Sequence, residues 1–515
     1  MKIKNLILGI ALLLSAASAF AQGGTTGPLT WEIENNTLTI SGEGAMPDYV
    51  LDPWWITPWD EYRKAIHSVV IEIGVTRIGN LAFFDCVNLS STIIPNSVTS
   101  IGGMMAFGGC ESLPSIVIPS SVTSLYGSAF AGCKSLTSID VESDNNNYAS
   151  EDGILFDKNK SVLMYCPEGK TGDYVIPNSV TSIEAGAFAG CESLTSIIIP
   201  NSVTNIEAYV FAGCTSLTSI IIPNSITSIG DRAFDGCKSL PSIVIPSSVT
   251  SLSRTAFVDC KSLISIDVES DNNNYASEDG VLFDKNKSVL IRSPEGKTGD
   301  YVIPNSVTSI ESSAFSGCGN LISVIIPNGV TSIGWSTFYF CTNLTSITIP
   351  NSITSIGAYA FRGCTSLLSI IIPGSVTKIE SAAFMECKLT LITNLNPVPI
   401  NIASYVFNDM NKSTCTLEVP INSVDAYRNA AVWKEFKIVG VEVGIEPIEA
   451  PAFKIYPNPT IGKVYIEMEG EIKVYDAQGT FLQETFGNQV DLSAYPQGVY
   501  FLQVNGGRWI KMVKR

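Results

Sequence analysis

His67 is the only histidine in a chain of 515 residues, and that scarcity removes most of enzymology at once. Ser/His/Asp and Cys/His machinery needs an imidazole beside a nucleophile and an orienting group. His67 precedes an apolar strand, where a structural role fits better. Thirteen cysteines are present, but none forms a C-x-x-C pair and none has a histidine at ligand spacing, so no zinc site is expected. Positive charge is also sparse: the net charge is −17, and because residues 1–21 contribute +2 and residues 453–515 contribute +1, residues 22–452 carry −20. A surface of that sign repels phosphate backbones, and no Lys/Arg stripe interleaved with aromatics overrides it, which excludes nucleic acid as a partner.

Long apolar runs are missing too, apart from Leu6 to Leu14 behind Lys2 and Lys4. That run, followed by Ala19, Phe20 and Ala21, reads as a signal peptide over 1–21 with the mature chain starting at Gln22. No cysteine precedes Cys86 to accept a lipid, and no later stretch is long and apolar enough for a transmembrane segment. The expected location is extracellular or cell-surface, outside a Gram-negative bacterium.

What the chain has in abundance is self-similarity. Residues 193–214 (SLTSIIIPNSVTNIEAYVFAGC) return as 216–237 (SLTSIIIPNSITSIGDRAFDGC), and cysteines 191, 214, 237 and 260, then 318, 341, 364 and 387, mark a 23-residue beat. Two intervals, Cys133 to Cys191 and Cys260 to Cys318, span 58 residues, one unit plus a 35-residue extension. The text SIDVESDNNNYASEDG at 138–153 recurs letter for letter 127 residues on. Such periodicity predicts a solenoid, since one unit cannot bury its own apolar face and must stack on its neighbours.

Within a unit, Leu194, Ile197 and Ile199 fit inward positions of a short strand closed by Pro200. Val203 and Ile206 supply the return leg, and Phe211 and Cys214 fill the turn to the next rung. About a dozen rungs are expected, with both extensions bulging from the same side. The outward strand positions are Val117, Ile198, Ile221, Val244, Ile325, Thr348 and Ile371. A β-branched apolar row of this kind is a candidate binding face; equally, such residues simply suit a stacked sheet.

The recurring phrase IPNSVTSIGxxAFxGCxSLxSI resembles the BspA-like leucine-rich repeats of bacterial surface proteins over residues 67–415, and residues 29–49 and 67–86 resemble the segment preceding those repeats. The resemblance implies a scaffold that binds extracellular or host proteins. The buried asparagine ladder of standard leucine-rich repeats would fall near Ser202 and Ser225, so loop hydrogen bonding must be met otherwise, with the turn cysteines as candidates. Residues 22–66 read as an N-terminal β segment capping repeats 67–415, and residues 416–441 as the C-terminal cap, with a helical stretch from Ser423 to Phe436.

From Phe453 the composition changes to alternating apolar residues punctuated by turns, which predicts a small β-sandwich of immunoglobulin type. Its phrases resemble the C-terminal sorting domain of the type IX secretion system, carried by Pro457, Asn458, Pro459, Gly462, Val474, Tyr475, Asp476, Gly479, Gly498, Tyr500, Lys511 and Lys514. The resemblance implies that this module, 453–515, engages the type IX machinery, with 442–452 as a cleavable linker.

Three further features have competing readings. The cysteine ladder reads as buried free thiols, because parallel Cβ vectors on adjacent rungs suit a disulfide poorly. The acidic loops at 142–153 and 269–280 offer oxygen ligands for calcium but lack EF-hand spacing, and Asn and Asp are common turn formers. Trp31, Trp54, Trp55, Trp59 and Trp433 either close the ends of the core or stack on sugars. The function expected is a non-enzymatic, cofactor-free surface scaffold for adhesion or protein recognition; the alternative is a glycan-binding accessory protein.

Overall fold

The computed structural model describes residues 22–50, 57–442, 455–456, 463–476, 481–504 and 508–514. The expected signal peptide, Trp54, Trp55, nearly all of the expected linker, and Pro457, Asn458, Pro459, Gly462 and Gly479 of the expected sorting motif lie outside the described residues. The chain forms two compact units, 1–441 and 442–515.

The first unit is a β-solenoid with two parallel ladders. The wide ladder opens with an antiparallel meander, Gln22–Thr26, Leu29–Glu34 and Thr37–Ser41, and continues in parallel through Ser68–Ile71 and Ser91–Ile93. Further along, Ile197 pairs with Ile220, one 23-residue unit away. The narrow ladder consists mostly of two-residue strands on the return legs, such as Asn205–Ile206 against Ser228–Ile229. Leu194, Ile197, Ile199, Val203, Ile206, Phe211 and Cys214 are all buried, as the inward periodicity requires. Phe188, Phe211, Phe234 and Phe257 stack ring on ring at 5.4, 5.3 and 5.6 Å, so each rung hands its aromatic to the next.

Two polar ladders replace the asparagine ladder. Ser225 Oγ donates to the Val203 carbonyl at 2.6 Å, and Ser202 donates likewise to Val180. The thiols do the same one turn later: Cys214 Sγ donates to the Phe188 carbonyl and Cys237 Sγ to Phe211, both at 3.2 Å. The serines thereby give the Val203 and Val180 carbonyls a donor, and the thiols add a second one to the Phe188 and Phe211 carbonyls, which already accept the Cys191 and Cys214 N–H groups. All thirteen cysteines are free and buried.

The extensions do not bulge. Each folds into a hairpin, Tyr148–Glu151 with Ile154–Asp157 and Tyr275–Glu278 with Val281–Asp284, set across the stack as a partition. Ile154 and Phe156 face the core that follows, whereas Leu155 faces the core that precedes it; Val281, Phe283 and Leu282 repeat the arrangement. A strand buried on both faces needs no polar side, which is why ILF and VLF stand there. Tyr148 spans the break in the narrow ladder, its hydroxyl accepting the Leu125 N–H at 2.9 Å; Tyr275 does so for Leu252 at 3.0 Å.

At the C-terminal end, Leu391–Asn394, Thr416–Pro420 and Lys437–Val441 prolong the wide ladder in parallel. The helical stretch expected from Ser423 to Phe436 is broken: an α-helix spans Val424–Asn429 and a 3-10 turn Trp433–Glu435. The extended Ala430 ends the helix, and Val432, at φ 67°, turns the chain into the buried Trp433.

The second unit is an antiparallel five-stranded sheet of Ile455–Tyr456, Lys463–Asp476, Phe481–Asp491, Gly498–Val504 and Arg508–Lys514. Val464, Ile472, Val474, Leu492, Leu502 and Met512 form its core.

Candidate interaction surface

The outward positions of the wide ladder lie side by side. Ile198 pairs with Ile221, Ile325 with Thr348, and Ile371 with Thr393. Val117, Ile198, Ile221, Val244, Ile325, Thr348 and Ile371 are all exposed, from 38% for Ile325 to 65% for Ile221 among the apolar ones. Pairing extends the row to Val175 beside Ile198 and Val302 beside Ile325, two exposed residues not among the positions taken from the sequence. Their signal was the YVIP phrase, which places Val175 and Val302 where IIIP places Ile198.

The row is cut into stretches by carboxylates. Asp140 stands beside Val117 and Asp267 beside Val244, the last wide-ladder strand before each hairpin. One position over, Asp173 accepts hydrogen bonds from Thr195 Oγ and Ser196 Oγ, both at 2.7 Å, and these, Ser196 first, hold its carboxyl below the usual range. The face is therefore apolar along its axis and acidic at intervals.

The acidic loops are built around an amide. Asn145, fully buried, donates from Nδ2 to the Pro119 and Val122 carbonyls at 2.8 and 3.0 Å, and its Oδ1 accepts the N–H groups of Asn147 and Tyr148 at 2.8 and 2.9 Å. Asn272 repeats all four bonds. The ammonium of Lys158 bonds the Ser143 and Asn145 carbonyls, which are oxygens a calcium ion would need. Among the described residues no group of three or more His, Cys, Asp or Glu is placed to hold a metal. His67 Nδ1 lies 2.9 Å from the Ala65 carbonyl.

The tryptophans close the core. Trp59 stacks on Phe83 at 6.1 Å and donates from Nε1 to the Ala82 carbonyl; Trp433 meets Phe407 edge-on at 5.5 Å and donates to Ile400. Both are fully buried and Trp31 nearly so, which removes these three as a sugar platform.

In the C-terminal unit Lys514 is buried, its ammonium donating to the carbonyls of Leu492 at 2.9 Å, Ser493 at 3.0 Å and Tyr495. Asp476 pairs with Tyr500, Gly498 with Lys514, and Phe501 with Lys511 across the sheet.

Short parallel strands stacked at a 23-residue pitch, with leucine and isoleucine inward and a turn cysteine on most rungs, define a leucine-rich-repeat solenoid. The chain belongs to the BspA-type leucine-rich repeat family: the model described as "BspA type Leucine rich repeat region" matches in six copies over residues 61–153, 160–282 and 297–427. The interruptions between these matches fall in the two extensions. Residues 454–515 match the "Secretion system C-terminal sorting domain". Repeats and tail together mark a secreted or cell-surface protein handled by type IX secretion, and no helix among the described residues is long and apolar enough to cross a membrane. The chain is similar to a solved leucine-rich repeat protein from Eubacterium ventriosum, at 26% identity over 71% of this chain and 95% of that one, TM-score 0.40. It is similar also to a leucine rich cell surface protein from Faecalibacterium prausnitzii, at 26% identity over 82% and 95%, TM-score 0.41. The pneumococcal vaccine antigen PcpA matches at 19% identity over 82% and 99%, TM-score 0.46. Among curated proteins none matches.

Proposed function

We propose that the protein is a cell-surface binding scaffold whose outward wide-ladder face docks another protein outside the cell. The observation that carries this is the exposed row, held in register by backbone pairing from Val175 to Ile221 and again from Val302 to Thr348, with Val244 and Ile371 exposed one unit further on. A rigid sheet face loses little entropy on binding, so apolar contact converts efficiently into affinity. Residues 22–441 serve as the passenger, freed by removal of 1–21 and by a cut in 442–452. The five tail strands, which form one antiparallel sheet where an immunoglobulin-like sandwich was expected, are the module that the secretion machinery reads. The test is capture of host-matrix and neighbouring-cell surface proteins by the mature chain and by an Ile198→Lys/Ile221→Lys/Val244→Lys variant of unchanged melting temperature. Loss of capture in the variant supports the reading; equal capture overturns it.

A glycan-binding reading retains one supporting observation, the exposed Trp335 lying edge-on to Tyr359 at 6.5 Å. Glycan-array binding lost in Trp335→Ala and retained in the triple lysine variant would favour it.

A further inference from the structure

The 127-residue duplication lets each extension be compared with its copy, and one group of differences between the two changes the charge. In the second copy two carboxylates are neutralised from within. Arg292 Nη2 meets Glu295 Oε1 at 2.7 Å and Arg254 Nη1 meets Glu311 Oε2 at 3.0 Å; Arg292 Nη1 also donates to the Ser313 carbonyl at 3.0 Å. In the first copy the carboxylates are kept, as Glu168 and Glu184, but the arginines are not: Tyr165 stands for Arg292 and Gly127 for Arg254. Among the described residues neither Glu168 nor Glu184 makes an ion pair. Lys134, the counterpart of the Lys261 that pairs with Glu295, is bonded instead to Glu111 at 2.5 Å.

Gly127 in place of Arg254 leaves room. A cavity of about 270 Å³ opens there, lined by Glu168, Glu184, Gly127 and Gly186, the counterparts of Glu295, Glu311, Arg254 and Ser313, together with Tyr126 and Met164. Glu168 is positioned as its copy is: Gly132 N–H donates to it at 2.6 Å, as Asp259 N–H donates to Glu295 at 2.8 Å.

We propose that this cavity is a receptor for a guanidinium group, an arginine side chain presented by a partner protein, which takes the place that Arg254 fills in the copy, beside the Tyr165 that occupies the Arg292 position and whose hydroxyl lies 3.3 Å from Glu168 Oε1. Three observations converge on it: two carboxylates without a cation, a carbonyl at Gly186 where Ser313 accepts from Arg292, and the exposed ring of Tyr126 at the rim for a planar cation to stack on. Burial holds both carboxyls above the usual carboxylate range, which an incoming cation reverses. The site is separate from the outward strand face, so either can fail alone.

The test titrates the mature chain with N-acetyl-arginine amide, with its neutral isostere N-acetyl-citrulline amide, and with calcium, by calorimetry. The expected result is saturable binding of the arginine probe, weakened about tenfold or more in Glu168→Gln/Glu184→Gln and unchanged in Glu311→Gln. Tyr165→Arg, which restores the copy's own arginine, is expected to block the probe without removing either carboxylate. Absence of saturable arginine binding, equal binding of citrulline, affinity unchanged in the double variant, or binding of calcium alone overturns the proposal.

Discussion

The Arg292 guanidinium and the Glu295 carboxylate meet at 2.7 Å with side chains only 4% and 3% exposed, whereas Glu168, 127 residues earlier, has the neutral Tyr165 hydroxyl at 3.3 Å in place of that cation. Removing one partner of a buried pair strands the other, at a cost of about 3–5 kcal/mol. Glu295→Gln is therefore expected to destabilise the solenoid by that order in chemical denaturation. Glu168→Gln acts in the opposite direction. Burial raises the folded-state pKa of Glu168, opposed by Gly132 N–H, the Tyr165 hydroxyl and Lys134 and reinforced by Glu192. Stability tied to the protonated form is complete below the unfolded carboxyl pKa and lost as pH rises through the folded one. Thus Glu168→Gln should raise the melting temperature at neutral pH, with a gain that fades on acidification. A gain independent of pH, or a loss at pH 7, would contradict the buried-charge account.

The thiol ladder makes a second prediction. Burial pushes Cys86, Cys318 and Cys387 up to about 12, so at pH 8 these three hold almost no thiolate, and all thirteen cysteines are buried. A thiol-reactive dye should label the folded protein very slowly and all thirteen cysteines after denaturation. Cys214→Ala, which removes the donor to the Phe188 carbonyl and leaves a small void, should cost about 1–2 kcal/mol. Rapid labelling of several native thiols would overturn this.

Asn145 tests whether the acidic loops are structural. Its amide satisfies two carbonyls and two N–H groups in a site without water access. Asn145→Ala should destabilise by about 2–4 kcal/mol. Asn145→Asp should be no better, since it sets a carboxylate oxygen against the Pro119 and Val122 carbonyls. Calcium at millimolar concentration should rescue neither variant; a calcium-dependent rise in the wild-type melting temperature would show that the loop oxygens bind metal despite Lys158.

The rungs were legible because their information is local and repeated: a residue such as Ile197 meets its own equivalent, Ile220, in the next unit. Ser225 and Cys214 were visible as exceptions to the asparagine ladder, and their geometry follows from the stacking. The hairpins were not legible in the same way. ILF at 154–156 carries no alternation to say that Leu155 faces one core and Ile154 the other, and only the break in both ladders decides it. Asn145 was hidden for a related reason, since a turn-former in an acidic run looks solvated until the carbonyls of residues 119 and 122 are brought beneath it. The cavity at Glu168 depends on which residues are missing relative to the copy, which the 127-residue offset encodes but periodicity alone does not single out.

The tail yields the last prediction, because a lysine that its sequence marks as a candidate for the sorting motif is also a structural one. Lys514 holds the Leu492, Ser493 and Tyr495 carbonyls, so Lys514→Met should leave three buried acceptors unpaired and loosen the sheet, costing about 2–3 kcal/mol. If the secretion machinery reads the folded tail, this variant should impair surface delivery in proportion to the loss of tail stability, while Lys514→Arg, which keeps the charge and donors, should retain part of it. Deleting 453–515 should abolish delivery and leave the repeats folded in the periplasm, since 1–441 is a compact unit of its own. Surface protease accessibility and periplasmic fractionation would separate the outcomes. Full surface display of the truncated chain would show that the tail is not the address, and normal display of Lys514→Met despite a melted tail would show that it is read as sequence and not as a fold.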